Sequence, residues 1–129
     1  MEYKYIKKLE DINIINEIEQ KYKVKIPKIL KDTIIRYNGG RPVKNTFMTK
    51  EKSEKVIKTL LSYNQSDREN IYIYLDFFKK GYIPFANTDF GDVICLNNKN
   101  ENIELYLHEI DKFEYVCENI EQFINKLYN

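Results

Sequence analysis

The residues that could carry chemistry are few and are spread along the chain. His108 is the only histidine, so a Ser-His or Cys-His hydrolase would have to use it, and no Gly-x-Ser-x-Gly nucleophile elbow is present. His108 falls on the polar side of a predicted strand, whereas the adjacent Glu109 points to the opposite face, which argues against a dyad of the two. We therefore interpret His108 as a surface or hydrogen-bonded structural residue.

A pair of carboxylates, Asp89 and Asp92, flanks Phe90 and Gly91 in a predicted turn. Two carboxylates at this spacing could bind a divalent cation or act as an acid and base pair. A calcium loop needs a longer alternating series of oxygen ligands that ends in Glu, and the sequence lacks it. Asp is also common in turns, because its side chain bonds to the nearby backbone. We therefore interpret both as turn residues and expect no metal or cofactor.

Two glycines and two cysteines also form neither a phosphate-binding loop nor a metal site. Gly39 and Gly40 are followed by Pro42 and not by the Lys-Ser/Thr pair of a phosphate-binding loop. Cys95 and Cys117 lack the spacing of a metal site, and we expect both to be small buried side chains, with a reactive thiol as the alternative. Without an assembled catalytic set, we expect a protein that is not an enzyme.

Composition indicates one soluble domain over residues 1–129. Of the 129 residues, 43% are hydrophobic and 32% are charged, as in ordinary globular domains. The first residues lack the apolar segment of a secretory signal, and no apolar run approaches the roughly 20 residues that cross a bilayer. We therefore expect a cytoplasmic protein that does not bind membranes.

Charge is unevenly distributed along the chain, although the formal net charge is only +1. Residues 1–58 hold 15 Lys and Arg against 8 Asp and Glu, whereas residues 59–129 hold 6 against 12. Either the two halves mix on the surface, or the C-terminal half builds an acidic face that steers a basic partner. Nucleic acid is not an expected partner, because acidic residues nearly balance the basic ones and no nucleic-acid-binding motif is present.

Helical patterns occur near both ends and in the middle of the chain. Amphipathic spacing and capping residues predict four helices: one starting at Asp11, a second from Pro27 to the stop at Asn38-Gly39-Gly40, a third from Ser66 to Gly81, and a fourth starting at Asn119.

The strand patterns lie between these helices. Residues 82–86 and 92–97 surround a polar turn and predict a hairpin, and residues 103–108 alternate apolar and polar as in a half-buried third strand. Residues 43–49 look extended, whereas the apolar residues of Lys55–Ser62 fit either a helix or a buried strand. The pattern predicts an α+β fold with a central, mostly antiparallel sheet packed by N-terminal, middle and C-terminal helices.

Two stretches of the sequence together resemble the SUKH superfamily. The first comprises Ile18-Glu19, Tyr22, Ile26-Pro27, Leu30 and the run Tyr37-Asn38-Gly39-Gly40-Arg41-Pro42. The second is the segment Ile83–Leu96, which is similar to the family's central hairpin, followed by Tyr106, His108-Glu109 and Phe123. The residues that form its structural signature here are Pro27, Tyr37, Asn38, Gly39, Gly40, Pro84, Phe85 and Gly91.

The resemblance implies an α+β domain that binds proteins and catalyses no reaction. Bacterial proteins similar to this one usually serve as immunity proteins that neutralise polymorphic toxins, often nucleases or deaminases, whereas the fungal member regulates cell-wall synthesis. In this view Lys55–Ser62 is a strand. We expect a cognate protein toxin, encoded beside this chain, as the partner of a monomer or weak homodimer. A regulatory or adaptor domain that binds another protein, without any toxin, is the alternative.

The candidate partner-binding surface comes from the acidic C-terminal half. Its carboxylates would mimic a polyanion in front of a basic nuclease, with nearby aromatic side chains as anchors. The candidate surface residues are Asp89, Phe90, Asp92, Glu104, Tyr106, His108 and Glu109.

Overall fold

The computed structural model describes all residues from 1 to 129. Its helices are α1 (Ile14–Tyr22), α2 (Lys28–Tyr37), α3 (Leu75–Lys79) and α4 (Ile120–Asn125), and a 3-10 helix at Ile71–Tyr74 precedes α3. Its strands are β1 (Tyr3–Lys4), β2 (Arg41–Pro42), β3 (Thr46–Met48), β4 (Glu54–Leu60), β5 (Tyr82–Thr88), β6 (Val93–Asn97), β7 (Ile103–Leu107) and β8 (Lys112–Cys117). Strands β3 to β8 form one antiparallel sheet in chain order, and β1 pairs with β2 separately. The predicted α+β class is confirmed.

The hairpin predicted around Gly91 forms the middle of the sheet. β5 and β6 pair with Ile83 opposite Leu96. β7 joins β6 as the predicted third strand, and its residues Ile103 and Leu105 are completely buried. The sequence pattern did not predict β8, which forms the edge of the sheet beside β7.

The segment Lys55–Ser62, which fitted either a helix or a strand, lies mostly within strand β4. β4 pairs with β3 on one side and β5 on the other. A register shift between Ile57 and Thr59 interrupts the alternation of the strand. Such an irregularity removes the period-two signal, which is why periodicity alone leaves this segment ambiguous.

The first two helices lie close to their predicted positions. The carboxylate of Asp11 accepts a hydrogen bond from Asn13 N (2.9 Å) in the turn just before α1. α2 follows Pro27 and ends at Tyr37. Gly39 has a φ of 66°, the left-handed conformation that the predicted helix stop requires.

The third helix is shorter than predicted, and its predicted start at Ser66 is wrong. The carbonyl of Ser62 accepts a hydrogen bond from Ile71 N (3.0 Å), and this tertiary contact holds the chain between them out of a helix. Asn70 is the cap instead, because its side chain accepts a hydrogen bond from Tyr72 N (2.8 Å) at the start of the 3-10 helix.

One face of the sheet and the helices enclose a cluster of 24 buried hydrophobic residues. α4 begins at its predicted cap, Asn119, and carries Phe123 into this cluster. The ring of Phe123 lies edge-on to Phe47 and Phe85, at centroid distances of 5.3 Å and 5.8 Å. Phe85 is therefore a core residue, packed where α4 closes over the sheet.

The opposite face of the sheet is partly covered by α3. Phe77 on α3 lies edge-on to Tyr106 (5.1 Å between ring centroids) and to Phe113 (6.1 Å). Phe113 in turn stacks on Tyr82 at 4.1 Å. Because side chains alternate along a strand, the next residue of the chain on this face after Tyr106 is His108, which is exposed.

Candidate interaction surface

Two turns lie next to each other at one end of the sheet. The β5–β6 turn (residues 89–92) and the β7–β8 turn (residues 108–111) are neighbours because β5 to β8 lie side by side in chain order. We call residues 89–92 and 108–111 the acidic tip. They contain four carboxylates, one histidine and no Lys or Arg, and Lys112 directly follows them.

The β5–β6 turn is held by hydrogen bonds across it. Thr88 N donates to Asp92 O (2.9 Å), and Asp92 N donates to Thr88 Oγ1 (3.1 Å). Gly91 has a φ of 87°, a backbone conformation that residues with a Cβ rarely adopt. Glycine therefore suits the backbone of this turn, in which Asp92 is buried and Asp89 is exposed.

Asp92 joins the two turns of the acidic tip. This residue is only 7% exposed. Its Oδ1 atom lies 2.6 Å from His108 Nδ1 and also accepts a hydrogen bond from His108 N at 3.1 Å. The structure thus pairs His108 with Asp92, 16 positions away, and not with Glu109.

Two apolar side chains project from the acidic tip. Phe90 is 84% exposed and Ile110 is 59% exposed, and the adjacent Asp89 and Glu109 are exposed as well. Ile110 was not among the predicted surface residues, and its only signal is an apolar residue between two acids, Glu109 and Asp111. These two side chains are therefore the candidate apolar anchors of an interaction surface at the tip.

The other two predicted surface residues lie along β7. Glu104 is farther from the tip, where its carboxylate accepts hydrogen bonds from Asn97 Nδ2 (2.9 Å) and Tyr82 OH (3.4 Å). Tyr106 reaches the tip, because its hydroxyl donates to Asp111 Oδ1 (2.5 Å), and this hydrogen bond raises the pKa of Tyr106. The structure therefore brings all the predicted surface residues except Glu104 to one end of the sheet.

The acidic tip and the cysteines were also compared with the geometry of metal sites and activated nucleophiles. Asp92 is turned toward His108 while Asp89 is exposed, and no group of three or more His, Cys, Asp or Glu side chains is arranged to hold a metal ion. His108 has no hydrogen bond to a hydroxyl or thiol that could act as a nucleophile. Burial raises the pKa of Cys95 well above its usual value and that of Cys117 to about 11, so neither is an activated thiol.

Asn38, in the run that carries the family resemblance, organises a different part of the molecule. It is 1% exposed, and its Nδ2 donates to Lys7 O (2.8 Å) and Ser62 Oγ (2.9 Å). Its Oδ1 accepts from Tyr63 N (2.8 Å). Asn38 thus fastens both the N-terminal segment and the loop after β4 to the end of α2.

The remaining signature residues also have structural positions. Pro27 directly precedes α2, and Tyr37 stacks on Tyr3 with 4.4 Å between ring centroids. Pro84 is buried within β5. A Cβ at Gly40 would lie 2.9 Å from the carbonyl oxygen of Tyr37, so only glycine fits there without a shift of the backbone.

The comparison with protein families matches residues 10–126 to the SMI1 / KNR4 family (SUKH-1). The chain belongs to this family. The resemblance drawn from the Asn38-Gly39-Gly40 run and from the hairpin around Gly91 is therefore confirmed. The comparison with curated proteins finds no match for this SUKH-1 protein. None of its helices combines the length and the apolar character needed to span a membrane.

Proposed function

We propose that this SUKH-1 protein is an immunity protein that neutralises a cognate toxin in the cytoplasm by binding it directly. The acidic tip carries the proposal, because two loops distant in sequence place exposed Phe90 and Ile110 among the carboxylates of Asp89, Glu109 and Asp111. Membership of the SMI1 / KNR4 family supports a binding role of this kind.

The chemistry of the acidic tip fits a basic partner. Clustered carboxylates steer a positively charged protein during encounter, and an aromatic ring that becomes buried at the centre of a contact supplies much of the binding energy. A nuclease or another toxin that modifies nucleic acid must present cations to phosphate groups. We therefore propose that the tip occupies such a cationic site and keeps nucleic acid away from it.

The proposed role does not require catalysis by the immunity protein itself. In this view His108 and Asp92 fix the relative position of the two turns, and Tyr106 supports the second turn through Asp111. Holding the surface in one geometry before binding lowers the entropy lost on association. The acidic tip then acts as a rigid surface and not as a site of reaction.

Co-expression with the toxin encoded beside this chain tests the proposal. The unchanged protein should protect cells and co-purify with the toxin. Phe90→Ala should weaken the complex by about 30-fold, since removing a central aromatic anchor costs about 2 kcal/mol. The double charge reversal Asp89→Lys with Glu109→Lys should abolish protection.

Matched controls separate the tip from general effects of sequence change. Ile73→Ala removes another exposed apolar side chain (61% exposed), and Glu17→Lys reverses an exposed charge on α1; both should leave protection intact. No protection and no complex with the unchanged protein would refute the immunity role. Equal losses from the control and tip variants would refute the role of the tip.

A further inference from the structure

A polar cleft lies beside the Asn38-Gly39-Gly40 run and shares no residue with the acidic tip. It has a volume of about 380 Å³. The N-terminal segment, the turn after α2, strand β4 and the loop before the 3-10 helix all contribute to its walls. Four cationic side chains line it, namely Lys7, Arg41, Lys58 and Arg68.

The two carboxylates of the cleft are already bound by donors of the protein itself. Asp67 Oδ2 accepts hydrogen bonds from Ser62 Oγ (2.6 Å) and Asn64 Nδ2 (3.1 Å). The carboxylate of Glu69 accepts hydrogen bonds from Lys58 Nζ (2.6 Å) and from Asn87 Nδ2 (2.6 Å). Lys58 is therefore neutralised by Glu69.

Three cations of the cleft remain without an ion pair. Lys7, Arg41 and Arg68 have no carboxylate oxygen within 4.0 Å, whereas Lys58 does. The guanidinium of Arg41 lies 5.6 Å from the ring centroid of the exposed Tyr5, which orients its planar face. Guanidinium groups present paired N–H donors whose spacing matches the oxygens of phosphate and carboxylate groups.

The walls that carry these cations are fixed before any ligand binds. Asn38 bonds to the backbone of Lys7 and to the side chain of Ser62, which are on two different walls. Thr59 Oγ1 donates to Gly39 O (2.9 Å) at the base of the cleft. A Cβ at Gly39 would lie 2.9 Å from Lys7 Cγ, so glycine permits this close approach of the N-terminal segment.

We propose that this cleft binds an oxyanion, a phosphate or carboxylate group of a ligand, through Lys7, Arg41 and Arg68. The anion would balance three like charges that the protein leaves unpaired. The cleft keeps a net positive charge despite its two carboxylates, because four cations line it and only Lys58 is paired with one of them, Glu69. This binding activity is independent of the proposed immunity role.

Calorimetric titration of the full chain with inorganic pyrophosphate and, separately, with citrate tests the proposal at constant ionic strength. Saturable binding at one site is expected for at least one of the two anions. Tighter binding of pyrophosphate identifies phosphate as the ligand group, and tighter binding of citrate identifies a carboxylate. Absence of saturable binding of either anion would overturn the proposal.

Variants assign the binding to the cleft. Arg68→Gln and Arg41→Gln should each weaken binding about tenfold, because each removes a charge-assisted hydrogen bond to the anion. Arg36→Gln is the matched control, since Arg36 is exposed on α2 and also has no ion pair. A similar loss of affinity in all three variants would show a general charge effect and would refute a site in the cleft.

Discussion

Replacing Asn38 by alanine should destabilise the protein more than any other change of a polar side chain proposed here. The side chain of Asn38 makes three hydrogen bonds, to Lys7 O, Ser62 Oγ and Tyr63 N, at 2.8 to 2.9 Å. These partners belong to segments on both sides of the α2 terminus, 24 to 31 positions away in sequence. Asn38→Ala therefore disconnects two segments at once.

The size of the effect follows from the burial of these groups. Each lost hydrogen bond costs about 1 kcal/mol, and a buried donor left without an acceptor costs about 1–3 kcal/mol. The N–H of Tyr63 would be such a donor, because Tyr63 is only 2% exposed. Lys7 is exposed, so its carbonyl can bond to water instead. The expected loss of unfolding free energy is about 3–5 kcal/mol.

Urea unfolding followed by circular dichroism measures this loss, and hydrogen exchange locates it. The amide of Tyr63 should lose protection in Asn38→Ala before the amides of β6 and β7 do. Asn16→Ala is the control, because Asn16 is exposed on α1 and its side chain makes no hydrogen bond; its stability should change by less than about 0.5 kcal/mol. A loss below about 1 kcal/mol for Asn38→Ala would refute the reasoning.

Four further outcomes are expected. Gly39→Ala should cost about 1–2 kcal/mol in urea unfolding, because its φ of 66° disfavours a Cβ; an unchanged midpoint would contradict this. Phe90→Ala should leave the unfolding free energy within about 0.5 kcal/mol, since the ring is 84% exposed, and a larger loss would mean that the ring packs against the protein. The hydrogen bond from Lys58 lowers the pKa of Glu69 from 4.5, so the stability lost in Glu69→Gln should be largest above pH 4.5 and should shrink as the pH falls below it. Unfolding at several pH values measures this difference, and a difference that does not change with pH would contradict the pairing. Cys95 should react with a thiol reagent in denaturant and not in the native protein, because it is completely buried; rapid native labelling of Cys95 would refute its burial.

The parts of the fold that the sequence predicts correctly depend on local interactions. The Asn119 cap of α4 is one example, since its side chain accepts a hydrogen bond from Gln122 N (2.8 Å), only three positions along the chain. The hairpin around Gly91 is another, because a turn residue with positive φ lies between two apolar segments. These interactions join residues only a few positions apart, so they can be predicted without the tertiary structure.

The elements that the sequence does not predict depend on contacts that extend beyond one helical turn or one β-turn. The helix expected from Ser66 is interrupted because Ser62 bonds to Ile71, and no local pattern reveals that contact. β8 lacks a regular alternation of buried and exposed residues, and its Phe113 is instead half-buried by stacking on Tyr82 of β5.

The sequence by itself determined the α+β class, the family, the central hairpin and the absence of a recognised catalytic motif, since these depend on residue types and on short spacings. Only the tertiary structure decided which charges meet. It buried Asp92 against His108, exposed Phe90 and Ile110 on neighbouring turns, and left Arg41 and Arg68 unpaired in one cleft. The physical reason is that pairing of whole strands, driven by burial of their apolar faces, sets the neighbours of every turn, and no local spacing in the sequence encodes those neighbours.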